Sequence, residues 1–277
     1  AGVRTWAVLA RWDARAALRD RWLWALAAAF GTLTLAAAAL ALSGLRVVGL
    51  SSFDRAAAAL VHLSMLFVPL MGLVLGSLWI AGDRESGALD FLLAQPADRS
   101  ALYVGRYVGL AGAAVSATWI GYGAAGLVLA WGAGTDRLDS FLWLVVLSTL
   151  LALASVSVGL AISAASPNRG RALGAALLAW LALAVLTDLG VLASVVALRL
   201  PPVVLLALAS ANPVSAFRIA GLLVVTRSPE LLGPVGLVAT DRLGPVGAAL
   251  TLCGVLLLWA AGGLAVGLLR FRRTAGP

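Results

Sequence analysis

Six uninterrupted apolar stretches constrain this sequence more than any other feature: Trp22–Ser43, Leu60–Ala81, Leu102–Trp131, Phe141–Ala165, Leu173–Leu198 and Pro245–Leu269. Each reaches the roughly 20 residues that a helix needs to cross about 30 Å of hydrocarbon. They are rich in Leu, Ala and Val without alternating polar positions, whereas a membrane barrel would need short strands of period two. Inside a bilayer a strand that is not part of a closed barrel leaves backbone groups unsatisfied, so these spans are expected to be helices. With 62% hydrophobic and 12% charged residues, the chain cannot be covered by water. The expected fold class is therefore all-α, a polytopic membrane protein of six transmembrane helices. No tandem repeat or low-complexity linker divides residues 1–277, and one membrane domain is expected.

An even number of spans places both termini on one side, and arginine distribution chooses the side. Thirteen of the 20 basic residues, Arg4, Arg84, Arg169 and Arg273 among them, fall on the terminal side, and seven on the other. Cytoplasmic termini in a plasma membrane follow. No cleavable leader is expected, the first span serving as its own insertion signal. The arginines flank apolar spans rather than forming one patch, which favours a lipid bilayer over nucleic acid as the partner of this basic chain. Over residues 1–21, Arg4, Arg11 and Arg15 share a helical face opposite Trp6, Leu9 and Ala16, with Asp13 interrupting the apolar side. This reads either as an interfacial helix bending into the first span or as a solvated basic tail.

All 20 basic residues are arginine. Without lysine the chain cannot form the G-x-x-x-x-G-K-[ST] phosphate loop, so any ATP and Mg²⁺ belong to a partner and no cofactor is expected here. The single cysteine, Cys253, excludes an internal disulfide or a CxxC clip. His62, Met65 and Met71 are the only His and Met residues. His62 and Met65 lie one turn apart and suit copper(I), but Met71 is turned away from Met65 by about 120°. Core packing of the methionines plus an interfacial histidine accounts for them, and no metal site is expected. A membrane enzyme would need convergent polar groups, which one histidine and scattered acids do not supply.

Between the second and third spans, residues 82–100 form the most informative connection. Leu89, Leu92 and Leu93 recur at i, i+3, i+4, Asp83 and Glu85 suit a first helical turn, and Pro96 stops the helix. The segment is either a partner-binding amphipathic helix, offering its leucine ridge to a groove, or a plain interfacial connector. Ser166–Arg171 is either a second contact of this kind or a basic turn. Beyond the fifth span, residues 199–244 are expected as a long outer loop with Pro201, Pro202, Pro213, Pro229 and Pro234. Val203–Leu208 and Leu222–Val225 within it are too apolar to stand in water. Asp188 is the deepest carboxylate, about 20 Å along its helix from Leu173, and reads as a gate, a conduit, a partner for Arg199 or another subunit, or a structural hydrogen bond near the outer interface. The pairs Gly72/Gly76, Gly105/Gly109 and Gly263/Gly267 have the spacing of close helix contacts.

Glu85-x-Gly87-x-Leu89, Leu92-Leu93-x-x-Pro96 and Arg99 together resemble the cytoplasmic segment of ABC-2 type permeases, a type V exporter-like fold. The resemblance implies that Glu85, Gly87, Leu89, Leu92, Leu93, Pro96 and Arg99 couple this chain to a cytoplasmic ABC ATPase dimer, and that a second copy of the chain is present. Ala88 departs from the threonine common in the family. Thr187-Asp188-Leu189, with Asn212-Pro213 and Phe217-Arg218, is similar to the permease subunits that mature nitrous oxide reductase in denitrification. That narrower resemblance implies a periplasmic β-helix repeat protein as partner, assembly of a copper–sulfur site as the task, and a partner-contact or gating role for Asp188, Arg199, Asn212, Pro213, Phe217 and Arg218. The alternative within the fold is a general exporter of drug, lipid or ion.

Overall fold

A computed structural model describes residues 11–43, 51–94, 98–134, 136–186, 201–226 and 233–274. All regular structure among them is helical. The helices are α1 (Arg21–Leu42), α2 (Ser52–Glu85), α3 (Ala88–Leu93), α4 (Arg99–Ala133), α5 (Leu138–Ala165), α6 (Arg169–Leu181), α7 (Pro202–Ala211), α8 (Pro213–Thr226) and α9 (Gly233–Thr274). A π-helical turn, Ala182–Leu186, continues α6, and Gly244 interrupts α9 with φ 68°. Five helical stretches, within α1, α2, α4, α5 and α9, are long and apolar enough to cross a membrane. The bent pair α7–α8 supplies a sixth candidate. The expected fifth span is described only to Leu186, and Asp188 and Arg199 lie outside the described residues, as does Pro96.

Local sequence starts these helices where they start. Ser51 and Asp54 form a reciprocal cap at the head of α2, Asp20 accepts the Trp22 N–H at 2.8 Å, and Asp98 accepts the Ser100 N–H at 3.2 Å. Membrane interiors offer no hydrophobic drive between helices, so small residues must let the backbones close. The α2–α5 contact does so: a Cβ added at Gly76 would stand 2.6 Å from the Val156 carbonyl oxygen, and one at Gly159 would stand 2.6 Å from the Leu73 carbonyl oxygen. Gly263 is pressed against Ser157 in the same manner, bringing α9 onto α5. The glycine pairs at 72/76 and 263/267 thus serve packing within the chain.

Two clusters form the core. Phe30, Leu60, Tyr122, Leu144 and Phe217 belong to one, and Ala17, Met71, Ile80, Leu89, Tyr103 and Phe271 to the other. Tyr122 is paired within the bundle, its hydroxyl lying 2.5 Å from Ser64 Oγ and 2.7 Å from Ser148 Oγ. His62 is exposed with Nδ1 2.8 Å from the Ala58 carbonyl oxygen, Met65 packs against the first cluster and Met71 is buried in the second.

The expected outer loop over residues 199–244 is corrected by the structure: its described part is mostly helical. Four of the five prolines that suggested a loop, Pro201, Pro202, Pro213 and Pro234, stand at helix starts instead, and Pro229 lies outside the described residues. Pro202 and Pro213 open α7 and α8, and Pro234 is the second residue of α9. At a first helical turn the missing N–H costs nothing and the fixed φ is already helical. The apolar run Leu222–Val225 is covered by packing α8 against α2, α5 and α9, with Ala216, Phe217, Ala220 and Val225 fully buried, whereas Val203, Val204 and Leu208 of α7 stay exposed in the chain alone.

A candidate coupling face at the basic end of the bundle

The segment after α2 turns back on itself at Gly87, which adopts φ 73°. That left-handed conformation is strained for any residue with a Cβ. The reversal directs α3 across the end of the bundle, with Leu89 buried at 7% exposure and Leu93 packed on the same cluster. Leu92 borders the Asp13 and Arg106 side chains. The leucine ridge is therefore anchored in the chain's own core rather than offered outward, as the first of the two readings had it. An amphipathic helix buries its apolar stripe against the nearest apolar surface, and here that surface is the bundle. The outward face carries Ala88, Asp90, Phe91 and Ala94, and Phe91 is 71% exposed. Phe91 stands two residues from Leu89, about 200° around the helix, the one large apolar side chain off the stripe. That misfit was the available signal.

Asp83 and Glu85 also sit differently from expectation. They belong to the last turn of α2, and Asp90 is the acid in the first turn of α3. Asp83 is committed to Arg106, 2.5 Å away, and Arg106 also reaches Asp13 at 3.4 Å and lies over the Trp79 ring at 5.8 Å. Asp13 is 4% exposed, on the buried face of the helical residues 11–17 together with Ala17, while Arg11, Trp12 and Arg15 face outward. Asp13 thus anchors the buried side of residues 11–17 rather than merely interrupting it, while Trp6 and Leu9 lie outside the described residues. Burial pushes the Asp13 carboxyl above its ordinary value, outweighing the Arg106 guanidinium, which draws it down.

The connection between α5 and α6 is stitched to the same place. Glu85 accepts the Arg169 N–H at 2.8 Å, Asn168 accepts the Arg171 N–H at 2.9 Å, and Arg84 donates to the carbonyls of Ala164 and Ser166. Arg272 donates to Ser100 Oγ, one residue past Arg99, the first residue of α4. One polar layer therefore joins the ends of α2, α4, α5, α6 and α9 behind the exposed face of α3.

The described members of the second expected group do not form an exposed surface. Asn212, Pro213 and Phe217 are buried and Arg218 half-buried, so the three buried side chains are not placed to touch a partner directly. They build the break between α7 and α8, whose axes differ by 117°. Asn212 Oδ1 accepts the Val214 N–H at 2.7 Å, and its Nδ2 donates to the Leu183 carbonyl at 2.7 Å. Leu183 lies in the π-helical turn, and such turns leave carbonyls displaced from ordinary helix bonding. Trp259 Nε1 donates to the Ala211 carbonyl at 2.9 Å. Asn212→Ala should lower the thermal midpoint of the detergent-purified protein by an amount equivalent to about 1–3 kcal/mol. Asn212→Ser, which keeps a capping oxygen but is too short to reach Leu183, should fall between.

The chain matches the family described as ABC-2 family transporter protein over residues 7–275. It is 31% identical to a protein of Pseudomonas aeruginosa named "Probable ABC transporter permease protein NosY", over 96% of this chain and 97% of that protein. A protein of the same name from Stutzerimonas stutzeri is 30% identical over the same shares.

Proposed function

This chain belongs to the ABC-2 family of transporter proteins, as an integral membrane permease that is not itself the ATPase, and from that premise we propose that it couples a cytoplasmic ABC ATPase dimer to a periplasmic partner. In this reading two copies of the chain sit in the plasma membrane with cytoplasmic termini, ATP and Mg²⁺ are held by the ATPase, and the partner is a β-helix repeat protein. The task is assembly of the copper–sulfur site of nitrous oxide reductase, a reading supported by the name its relatives carry.

The exposed face of α3 carries the coupling half of this proposal. A short helix anchored through Leu89 and Leu93, with Phe91 outside and the polar layer behind it, has the form of a knob backed by a rigid mount. Aromatic side chains in such positions dominate interface energetics. Force entering at α3 passes through α2 and α5 toward the α7–α8 break, where Asn212 acts as the pivot of a gate. Asp188 and Arg199 are proposed to belong to that gate.

Co-purification from the native host after mild detergent extraction tests both halves. Recovery of an ATPase together with a periplasmic repeat protein supports the maturation role. An ATPase alone puts the general exporter ahead, and recovery of neither removes the coupling proposal. Phe91→Asp should reduce ATPase recovery by about 30-fold, equivalent to about 2 kcal/mol at an interface. The folded yield should stay unchanged, because this side chain is 71% exposed in the chain alone.

A further inference from the structure

α5, α7 and α9 do not close on one another along their whole length. Gly263 draws α9 onto Ser157 of α5, and the Trp259–Ala211 bond holds it to α7. Beside these contacts runs a cleft of about 820 Å³, lined by Val158 and Ile162 of α5, Ala207 and Ser210 of α7, and Val255 and Val266 of α9. Its volume is that of a ligand site. The lining is apolar apart from the Ser210 hydroxyl, the Trp259 indole and one charge, Arg270, at the basic end.

We propose that this cleft binds an acyl chain of an anionic phospholipid whose headgroup is held by Arg270. Length supports this occupant. From Val255 to Arg270 the helix rises about 22 Å, enough to run from near the bilayer midplane to headgroup level in one leaflet of about 15 Å of hydrocarbon. Charge supports it too. Arg272 and Arg273 follow Arg270 in the last turn, and the Arg84 guanidinium binds the Ala164 and Ser166 carbonyls on either side of the lining residue Ala165. A basic site between membrane helices at this depth attracts anionic headgroups. The wall itself supports it: Gly262 lines the cleft, and no atom lies within 4 Å of where its Cβ would stand. An apolar channel one leaflet deep, ending in a cation, has the pattern of a lipid rather than of a second protein surface.

Photo-crosslinking tests the proposal on the full-length chain, purified with its co-extracted subunits and supplied with diazirine-acyl phosphatidylglycerol or the matching phosphatidylcholine. Phosphatidylglycerol should label the α7 and α9 residues of the cleft about fivefold more than phosphatidylcholine. Arg270→Gln should bring the ratio to about one while phosphatidylcholine labelling persists. Gly262→Leu, which meets no protein atom at its Cβ and should leave the thermal midpoint in place, should remove labelling by both lipids. Equal labelling by the two lipids in the wild type overturns the proposal, as does labelling indifferent to Gly262→Leu at an unchanged midpoint. A crosslink to a second copy of the chain across the cleft overturns it as well.

Discussion

Gly76→Leu is expected to abolish recovery of folded protein from the membrane, the largest single-residue effect this fold predicts. The Cβ alone would stand 2.6 Å from the Val156 carbonyl oxygen and 2.7 Å from the Leu160 nitrogen. Both are backbone atoms of a rigid helix and cannot turn aside. Accommodating a side chain means separating α2 from α5 along the most extensive contact in the bundle. Overpacking of this kind costs about 1–3 kcal/mol where side chains can adjust, and more where they cannot. Gly76→Ala should therefore already lower the thermal midpoint of the detergent-extracted protein, and Gly76→Leu should leave little to extract. Gly112→Ala and Gly254→Ala are the matched controls, since no atom lies within 4 Å of either added Cβ. These should be neutral or gain up to about 1 kcal/mol from helix propensity. Equal behaviour of the two pairs would sink the close-packing account.

Arg106→Gln should cost about 3–5 kcal/mol, because it strands the buried Asp13 carboxylate without its guanidinium and takes the partner from the half-buried Asp83. The segment over residues 11–17 should then detach. Trypsin cleavage after Arg15 and Arg19 would report this directly, rising in the variant and staying low in the wild type. Asp13→Asn should be milder, since it removes the charge whose burial is unfavourable together with its ion pair. In the Arg106→Gln/Asp13→Asn double variant part of the loss should return, as expected of coupled neighbours. Asp13 also gives this region a pH dependence. Its carboxyl binds a proton more readily in the folded protein than in the unfolded chain. Between the unfolded value and the raised folded one, stability therefore falls as pH rises, and above the folded value this contribution is lost in full. Asp13→Asn should flatten that slope in a pH series of thermal midpoints.

The membrane class, five of the spans to within several residues, the short helix after the second span and the family were all legible in the sequence. Each rests on a property that one segment carries by itself: apolar length, periodicity, or a short motif such as Glu85-x-Gly87-x-Leu89. The leucine stripe of α3 was legible as a stripe, but its direction was not, because periodicity says which residues share a face and never what that face meets. The prolines of residues 201–234 pointed to a loop, since proline breaks a helix in its interior and starts one at its first turn, and only the helix boundaries separate the two cases.

Asp13 marks the division most clearly. In the sequence it is an acid spoiling an amphipathic pattern. In the folded chain it is a buried partner of Arg106, 93 positions away. Sequence alone determined that these helices must enter a bilayer, because transfer of apolar side chains and satisfaction of backbone hydrogen bonds are decided segment by segment. Tertiary structure decided which polar residues become anchors, which glycines become contacts and which aromatic residue remains outside. Those outcomes depend on which surfaces meet, and ion pairing and close packing act over a few ångströms between groups the chain keeps far apart.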